Sequence, residues 1–345
     1  MPSPNPSAPP PPAFLGALCE WLKTRLPGDW DGATLKAFTQ GQSNPTYLLQ
    51  AGACAYVLRA RPAGVLHASA HAIDREFRVL EALAGSAVPV PAPRLYCDDA
   101  GLIGVAFYVM DYVPGRLLAD PALPELSPDD RRAAYASFVT TLAELHSIDP
   151  ASVGLGDFGR PGQYYERQIS RWTRQYRAAE TETIRAMEHL LAWLPGNMPG
   201  EETVSLVHGD YRFENLLFHP TAPTVSAVLD WELSTLGDPL ADLAYAALWH
   251  RLPPHAFRGL AGRAAHFPGV PSEAEFVADY CARVGRPPIA NWRFYVAFSF
   301  FRLAAILQGV RKRALDGNAA GPDALQRGAL AGLCAELGWD AAQRG

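Results

Sequence analysis

His208-Gly209-Asp210-Tyr211-Arg212-Phe213-Glu214-Asn215 is followed, past a second apolar run, by Asp230-Trp231-Glu232. An Asp, an Asn five positions later and a second Asp form one chemical set. The first carboxylate can orient a hydroxyl nucleophile. The amide oxygen and the second carboxylate are hard ligands of the kind magnesium takes. Phosphoryl transfer from ATP needs these parts, because its loose transition state leaves the protein mainly positioning and charge stabilisation to supply. The pattern predicts Asp210 as catalytic base, and Asn215 and Asp230 as ligands of Mg²⁺.

Short apolar stretches flank this set. Val204–Val207, Leu216–Phe218 and Val225–Leu229 read as strands. His208 reads as structural, its imidazole holding nearby backbone. Glu232 has two readings: it faces the side of Asp230 and assists the metal, or it is a surface carboxylate. Asp238 reads as a helix N-cap with Pro239 at the first helical position. Asp242 falls one turn inside an otherwise apolar helix, where a buried carboxylate needs partners. The backbone N–H groups near His208 and Gly209 are its expected partners, which makes Asp242 a support for the loop and not a reactant.

The spacing of the first segment matches the catalytic loop of kinases, with Gly209 in place of the usual Arg, and Asp230 stands where kinases carry Asp-Phe-Gly. The N-terminal third reads strand-strand-helix-strand: Leu35 to Gln50, Ala53 to Arg61, Ile73 to Leu83 and Phe107 to Tyr112. Gly41 to Thr46 sits between strands, so its backbone with Ser43 and Asn44 can cover phosphates, or it is an ordinary hairpin. Tyr56-Val57-Leu58-Arg59 takes the place of the Val-Ala-Ile-Lys strand. Arg59 then contacts α- and β-phosphates with Glu76 as its ion-pair partner, or pairs with Glu76 alone. Arg for Lys is a real change, since guanidinium is planar and bidentate. Met110-Asp111-Tyr112-Val113 reads as the hinge whose backbone meets adenine.

From Ser127 onward, helical periodicity dominates, including Arg131 to His146, Tyr164 to Leu194, Pro239 to His250, Glu273 to Val284, Trp292 to Leu315 and Asp323 to Leu337. The predicted fold class is α+β, a bilobal kinase-like arrangement with a small sheet lobe and a large, mainly helical lobe. Its predicted divisions are a disordered Pro-rich tail over 1–12, a nucleotide-binding lobe over 13–112 and a catalytic and substrate-binding lobe over 113–345. Arg167, Arg171 and Arg174 share a helix face that is either solvated or binds a phosphorylated or carboxylated substrate. His67 and His71 are four apart, but no H-E-x-x-H pattern accompanies them, so a metal site is not expected there.

Bulk numbers narrow the partners. The 345 residues are 49% apolar and 19% charged, which predicts a packed core, and the net charge of −5 gives no reason to expect nucleic acid. From Leu243 onward there are 12 Arg or Lys against 7 Asp or Glu, a net +5, while the rest holds 18 against 28, a net −10. Five scattered cysteines without a C-x-x-C pair suggest no disulfide framework and fit a reducing cytoplasm. The N-terminus lacks a secretion signal, and no membrane partner is expected.

With these residues in place, the chain resembles the aminoglycoside phosphotransferase-like superfamily of small-molecule kinases. The subgroup it resembles is related to the kinase-like domain fused to acyl-CoA dehydrogenases. Tyr56–Arg59, Asp74–Leu80, Phe107–Met110, Gly154–Gly159, His208–Phe218, Leu229–Tyr245 and Arg302–Gly309 carry the resemblance. It implies ATP and Mg²⁺ as cofactors, with Asp210, Asn215 and Asp230 in the roles above. It also implies a substrate pocket among helices of the large lobe. Some members of the subgroup phosphorylate hydroxyacyl-CoA thioesters. Aminoglycosides and other amino alcohols are the alternative acceptors, but these cations suit an acidic pocket and the C-terminal region is basic. A non-catalytic nucleotide-binding protein is the second alternative.

Overall fold

The computed structural model describes residues 12–38, 44–62, 73–317 and 323–344. Contacts divide the chain into two units. One runs to Gly115 and includes Ser226–Glu232; the other holds Arg116–Val225 and Leu233–Gly345.

The smaller unit begins with helix α1 (Pro12–Lys23), then strands β1 (Thr34–Ala37), β2 (Thr46–Ala51) and β3 (Cys54–Ala60). Helix α2 (Ile73–Leu83), strand β4 (Pro93–Cys97), the short helix α3 (Ala100–Ile103) and strand β5 (Phe107–Asp111) complete it. The strands form one antiparallel sheet in the order β1-β2-β3-β5-β4. The run read as a single strand over Leu35 to Gln50 is two strands. Alternation on β2 buries Tyr47, Leu49 and Ala51 on one face, as a half-buried strand requires. Leu18 and Leu22 of α1, Trp30, Tyr56 and Phe107 join them in one apolar cluster. Glu76 is buried on α2 with Val79, Leu80 and Leu83.

The larger unit contains β6 (Arg116–Leu117) and helices α4 (Pro128–Ser147), α5 (Tyr164–Ala179) and α6 (Arg185–Trp193). Ser127 caps α4 through Asp130 N–H, with Pro128 in its first turn. The stretch read as one helix to Leu194 breaks after Ala179. Gln308, fully buried, donates to the Ala179 carbonyl at 3.0 Å and to Thr181 Oγ1 at 2.7 Å, so tertiary contacts satisfy the helix end. Next come strands β7 (Ser205–Val207) and β8 (Leu216–Phe218), then β9 (Val225–Val228), whose residues from Ser226 belong to the smaller unit and lead toward Asp230, and, back in the larger unit, β10 (Thr235–Gly237). β7 pairs with β10 and β6 with β8, both antiparallel. Helices α7 (Pro239–Ala247), α8 (Glu273–Arg283), α9 (Trp292–Leu315), α10 (Ala324–Gly328) and α11 (Ala331–Arg344) follow.

α9 is the axis of this unit and packs on α5, α7, α10 and α11. Among the described residues it is the one helix long and apolar enough to cross a membrane, but 78% of its apolar window is buried against its neighbours. The aromatic residues Phe138, Tyr211, Phe213 and Phe276 pack together beneath the Asp210 loop, with Phe138 and Tyr211 edge-to-face at 4.7 Å.

Asp238 caps α7: its Oδ1 accepts from Leu240 N–H at 2.8 Å and its Oδ2 from Thr203 N–H at 3.2 Å. Asp238→Ala is expected to destabilise the protein by about 1–2 kcal/mol, seen as a lower thermal midpoint. Asp238→Ser, which restores one cap oxygen, should recover part of the loss; equal midpoints for all three proteins would refute this role.

Candidate active site

The Asp210 loop connects β7 to β8 and ends in a 3₁₀ turn over Phe213–Asn215. Gly209 has φ +85°, and a Cβ there would lie 2.6 Å from the Leu233 carbonyl oxygen. Both facts explain glycine where kinases carry Arg. Asp242 is fully buried beneath the loop. Its Oδ2 accepts from His208 N–H at 2.5 Å and its Oδ1 from Gly209 N–H at 2.8 Å. His146 Nε2 lies 3.4 Å from Oδ2, and its Nδ1 meets the Tyr280 hydroxyl at 2.8 Å. Burial is the largest influence on the Asp242 carboxyl and raises its pKa. The His146 ring, His208 and the Gly209 N–H together outweigh it and hold the pKa below the ordinary aspartate value.

His208 is buried, and its Nδ1 accepts from Asp210 N–H at 3.1 Å. Asn215 donates from Nδ2 to the Asp210 carbonyl at 2.8 Å and to Asp210 Oδ2 at 2.9 Å. With the amide nitrogen engaged twice, the amide oxygen is the face that Asn215 can offer a cation. Arg212 Nε lies 3.2 Å from Asp210 Oδ2, and its Nη1 donates to Glu214. Burial works against the Arg212 cation, but Asp210, Tyr245 and Glu214 more than compensate and raise its pKa. Tyr245 is buried beside Asp210; burial first, then that negative charge, keep its phenol protonated. Arg302 donates from Nη2 to the Gly209 carbonyl.

In the smaller unit, charge gathers around Arg59. Its Nε lies 2.8 Å from Glu76 Oε2 and its Nη2 lies 2.5 Å from Asp230 Oδ1. Glu76 Oε1 accepts from Asn44 Nδ2 at 2.6 Å and Oε2 accepts from the Tyr108 hydroxyl at 3.0 Å. Burial pushes the Glu76 carboxyl up, with Arg59 pulling against it and Asp230 adding repulsion. Burial likewise opposes the Arg59 cation, yet the carboxylates win and raise its pKa. Asp230 has φ +66°, a left-handed conformation that Asp tolerates better than most residues. Glu232 is half-buried in the 3₁₀ turn Trp231–Leu233, where its charge also acts on Arg59.

The remaining sequence candidates divide. Ser43, His67 and His71 lie outside the described residues. Asn44 turns its amide nitrogen inward to Glu76, because that buried carboxylate needs donors. In the hinge stretch, Asp111 N–H donates to the Ala92 carbonyl at 2.9 Å and Tyr112 N–H to the Ala55 carbonyl at 3.2 Å. Those two donors are engaged by the sheet. Met110 is buried on β5, and the Asp111 carboxylate pairs with Arg94 at 2.7 and 2.5 Å. Arg167 donates to the Gly162 and Arg160 carbonyls in the turn before its helix, and Arg174 donates to Ser170 on the same helix. Arg171 lies beside Trp172.

Sequence reasoning passed over Arg212, Tyr245, His146, Tyr108 and the contact of Arg302. Arg212 had a signal: two residues from Asp210 in extended backbone shares its side. Arg302 had one as well, a cation between Phe301 and Leu303 in an apolar helix, which must find a partner.

An antiparallel sheet unit, a mainly helical unit and an Asp–Asn loop resting on a buried carboxylate define the protein-kinase-like class of phosphotransferase fold. The chain belongs to the phosphotransferase enzyme family, whose model matches residues 34–276. It is 49% identical over 331 residues to acyl-CoA dehydrogenase family member 10 of Mus musculus, a match covering 95% of this chain and 31% of that protein. The chain thus spans about a third of that relative's length. A crystal structure from Ralstonia eutropha, classed among the aminoglycoside phosphotransferases, superposes with a TM-score of 0.87 at 46% identity, covering 95% of this chain and 98% of that one. An aminoglycoside phosphotransferase in ternary complex with AMP-PNP and hygromycin B gives a TM-score of 0.63 at 15% identity, covering 95% and 99%. That last likeness is one of fold.

Because the native Asp242 carboxyl is more acidic than in the unfolded chain, its stabilisation is complete above an unfolded pKa of about 3.9. It is lost as pH falls through the folded value. Asp242→Asn is expected to cost about 3–5 kcal/mol at neutral pH, and denaturant titrations should show this gap narrowing below about pH 4. A gap that widens on acidification would contradict the charge argument. Gly209→Ala is expected to cost about 1–3 kcal/mol, with thermal unfolding as the check.

Proposed function

We propose that the chain is an ATP- and Mg²⁺-dependent kinase that transfers the γ-phosphate to the hydroxyl of a small molecule, with a hydroxyacyl-CoA as acceptor. The observation that carries this reading is the double hydrogen bond from Asn215 Nδ2 to Asp210. It fixes a carboxylate to receive the acceptor's hydroxyl proton and leaves an amide oxygen for a cation. Asp210 aligns the hydroxyl, so much of the gain is positional. Asn215 and Asp230 would hold Mg²⁺, which when bound neutralises charge on the phosphates. Among the described residues no group of three or more His, Cys, Asp or Glu could hold a metal ion. One carboxylate and one amide suit magnesium, which keeps waters and phosphate oxygens in its shell.

Arg59 is tied to Glu76 and Asp230 and supplies the positive charge for nucleotide phosphates. Tyr108 and Asn44 fix Glu76, which in turn orients Arg59. In the hinge, the Asp111 carbonyl and the Val113 N–H take over the reading of adenine, since the Asp111 and Tyr112 N–H groups serve the sheet. The acceptor assignment draws support from the acyl-CoA dehydrogenase family relative and from the basic C-terminal region.

ADP release is expected from purified protein with ATP, Mg²⁺ and a hydroxyacyl-CoA, with the phosphorylated product confirmed by mass. Asp210→Ala should lower turnover by roughly 10²-fold or more while ATP binding, measured by calorimetry, is retained. Asp230→Asn should weaken Mg²⁺-dependent ATP binding itself. Turnover of kanamycin-like amines in place of hydroxyacyl-CoA would overturn the acceptor, and parental turnover by Asp210→Ala would overturn the base.

A further inference from the structure

Two guanidinium groups in the larger unit converge on one indole. Arg171 Cζ lies 5.4 Å and Arg302 Cζ 5.6 Å from the Trp172 ring centre. Arg302 also stands 5.2 Å from the Tyr245 ring centre. Its Nη2 donates to the carbonyl of Gly209, the residue before Asp210. Arg302 is only 6% exposed, yet its Nε finds no hydrogen-bond partner among the described residues. The other candidate cations on α5 are occupied: Arg167 by carbonyls of the turn before the helix, Arg174 by Ser170, and Arg177 by a two-pronged pair with Glu188. Among the described residues, Arg171 has no such carboxylate. The residue is exposed as a whole, but packing around its guanidinium and then the like charge of Arg302 hold its pKa below the ordinary value.

Aromatic faces attract these cations, but they do not neutralise them. Two guanidinium groups brought together, neither of them ion-paired to a carboxylate among the described residues, leave directed N–H donors that suit an oxyanion. Contact with residue 209 sets these donors next to the carboxylate that receives the acceptor's hydroxyl. An amine at the same place would meet like charge, a disfavoured arrangement.

We propose that Arg171 and Arg302 form an oxyanion subsite for the acceptor, binding a carboxylate or phosphate carried by the substrate while Asp210 takes its hydroxyl. The subsite rests on the kinase reading above and specifies which charge on the acceptor is read. In a hydroxyacyl-CoA that charge comes from the coenzyme phosphates; in a free hydroxy acid it comes from the carboxylate. Arg171 is the contact to vary, because Arg302 also supports Gly209.

The test compares wild type, Arg171→Ala and Arg171→Lys with ATP and Mg²⁺ on three acceptors: 3-hydroxybutyrate, its CoA thioester and its pantetheine thioester, which carries no negative charge. Arg171→Ala should raise KM for the charged acceptor by about tenfold or more, with the change in KM and not kcat. Arg171→Lys should recover part of it, and the pantetheine thioester should be insensitive. A penalty on the free acid assigns the carboxylate; a penalty on the CoA thioester alone assigns the phosphates. An equal rise with the uncharged thioester, or no rise with any acceptor, overturns the subsite while leaving the kinase reading intact. If wild type makes no ADP with these acceptors, the acceptor reading fails by itself. Calorimetric binding of the CoA thioester then decides the subsite: weaker binding to Arg171→Ala supports it, and equal binding overturns it.

Discussion

A buried carboxylate with no access to water governs the larger unit. Asp242 must stay charged and must be surrounded by donors, since leaving it unmatched would cost several kcal/mol. The chain meets that demand with the backbone N–H groups of His208 and Gly209 and with the His146 ring. Once those groups are fixed, the loop has little freedom. Gly209 is pressed against the Leu233 carbonyl in a conformation that suits glycine, and Asp210 follows directly. Asn215 and Arg212 then settle the Asp210 side chain from the far end of the same loop. The geometry of the Asp210 carboxylate is therefore inherited from a second carboxylate buried beneath the loop.

A comparable economy holds in the smaller unit, where one cation serves two carboxylates. Arg59 reaches Glu76 with Nε and Asp230 with Nη2. A planar guanidinium offers separate edges for this, whereas an ammonium acts as a point charge. The substitution of Arg for the Lys common at this strand position is thus matched to its surroundings. Tyr108 and Asn44 complete Glu76, so the group is satisfied on nearly every side, and Asp230 is held in a backbone conformation few other residues would accept.

How much could be read in advance depended on whether the signal was local. Helices Ile73–Leu83 and Trp292–Leu315 were legible because the apolar pattern that marks them lies within the segments themselves. The break between α5 and α6 was not, because the Ala179 carbonyl at the end of α5 is answered by Gln308, remote in sequence. The Asp210 and Asn215 spacing was legible as one loop, and the structure brings the Asn215 amide onto Asp210. The inward turn of Asn44 was hidden, since it answers to a carboxylate on another element. Arg302 was visible as an anomaly in an apolar helix, though its partner was not.

By itself the sequence determined the class: the Asp–Asn loop, the following Asp, the small strand-rich region and the long helical remainder each follow from residue type and local spacing. Tertiary structure decided which polar groups became partners. Arg59 was committed to two carboxylates, the Asp111 and Tyr112 N–H groups to the sheet, and Arg171 and Arg302 to a shared indole. The reason is physical. Local spacing fixes which face a side chain occupies, but a buried charge or donor takes whatever counterpart packing brings to it, and that counterpart is often distant along the chain.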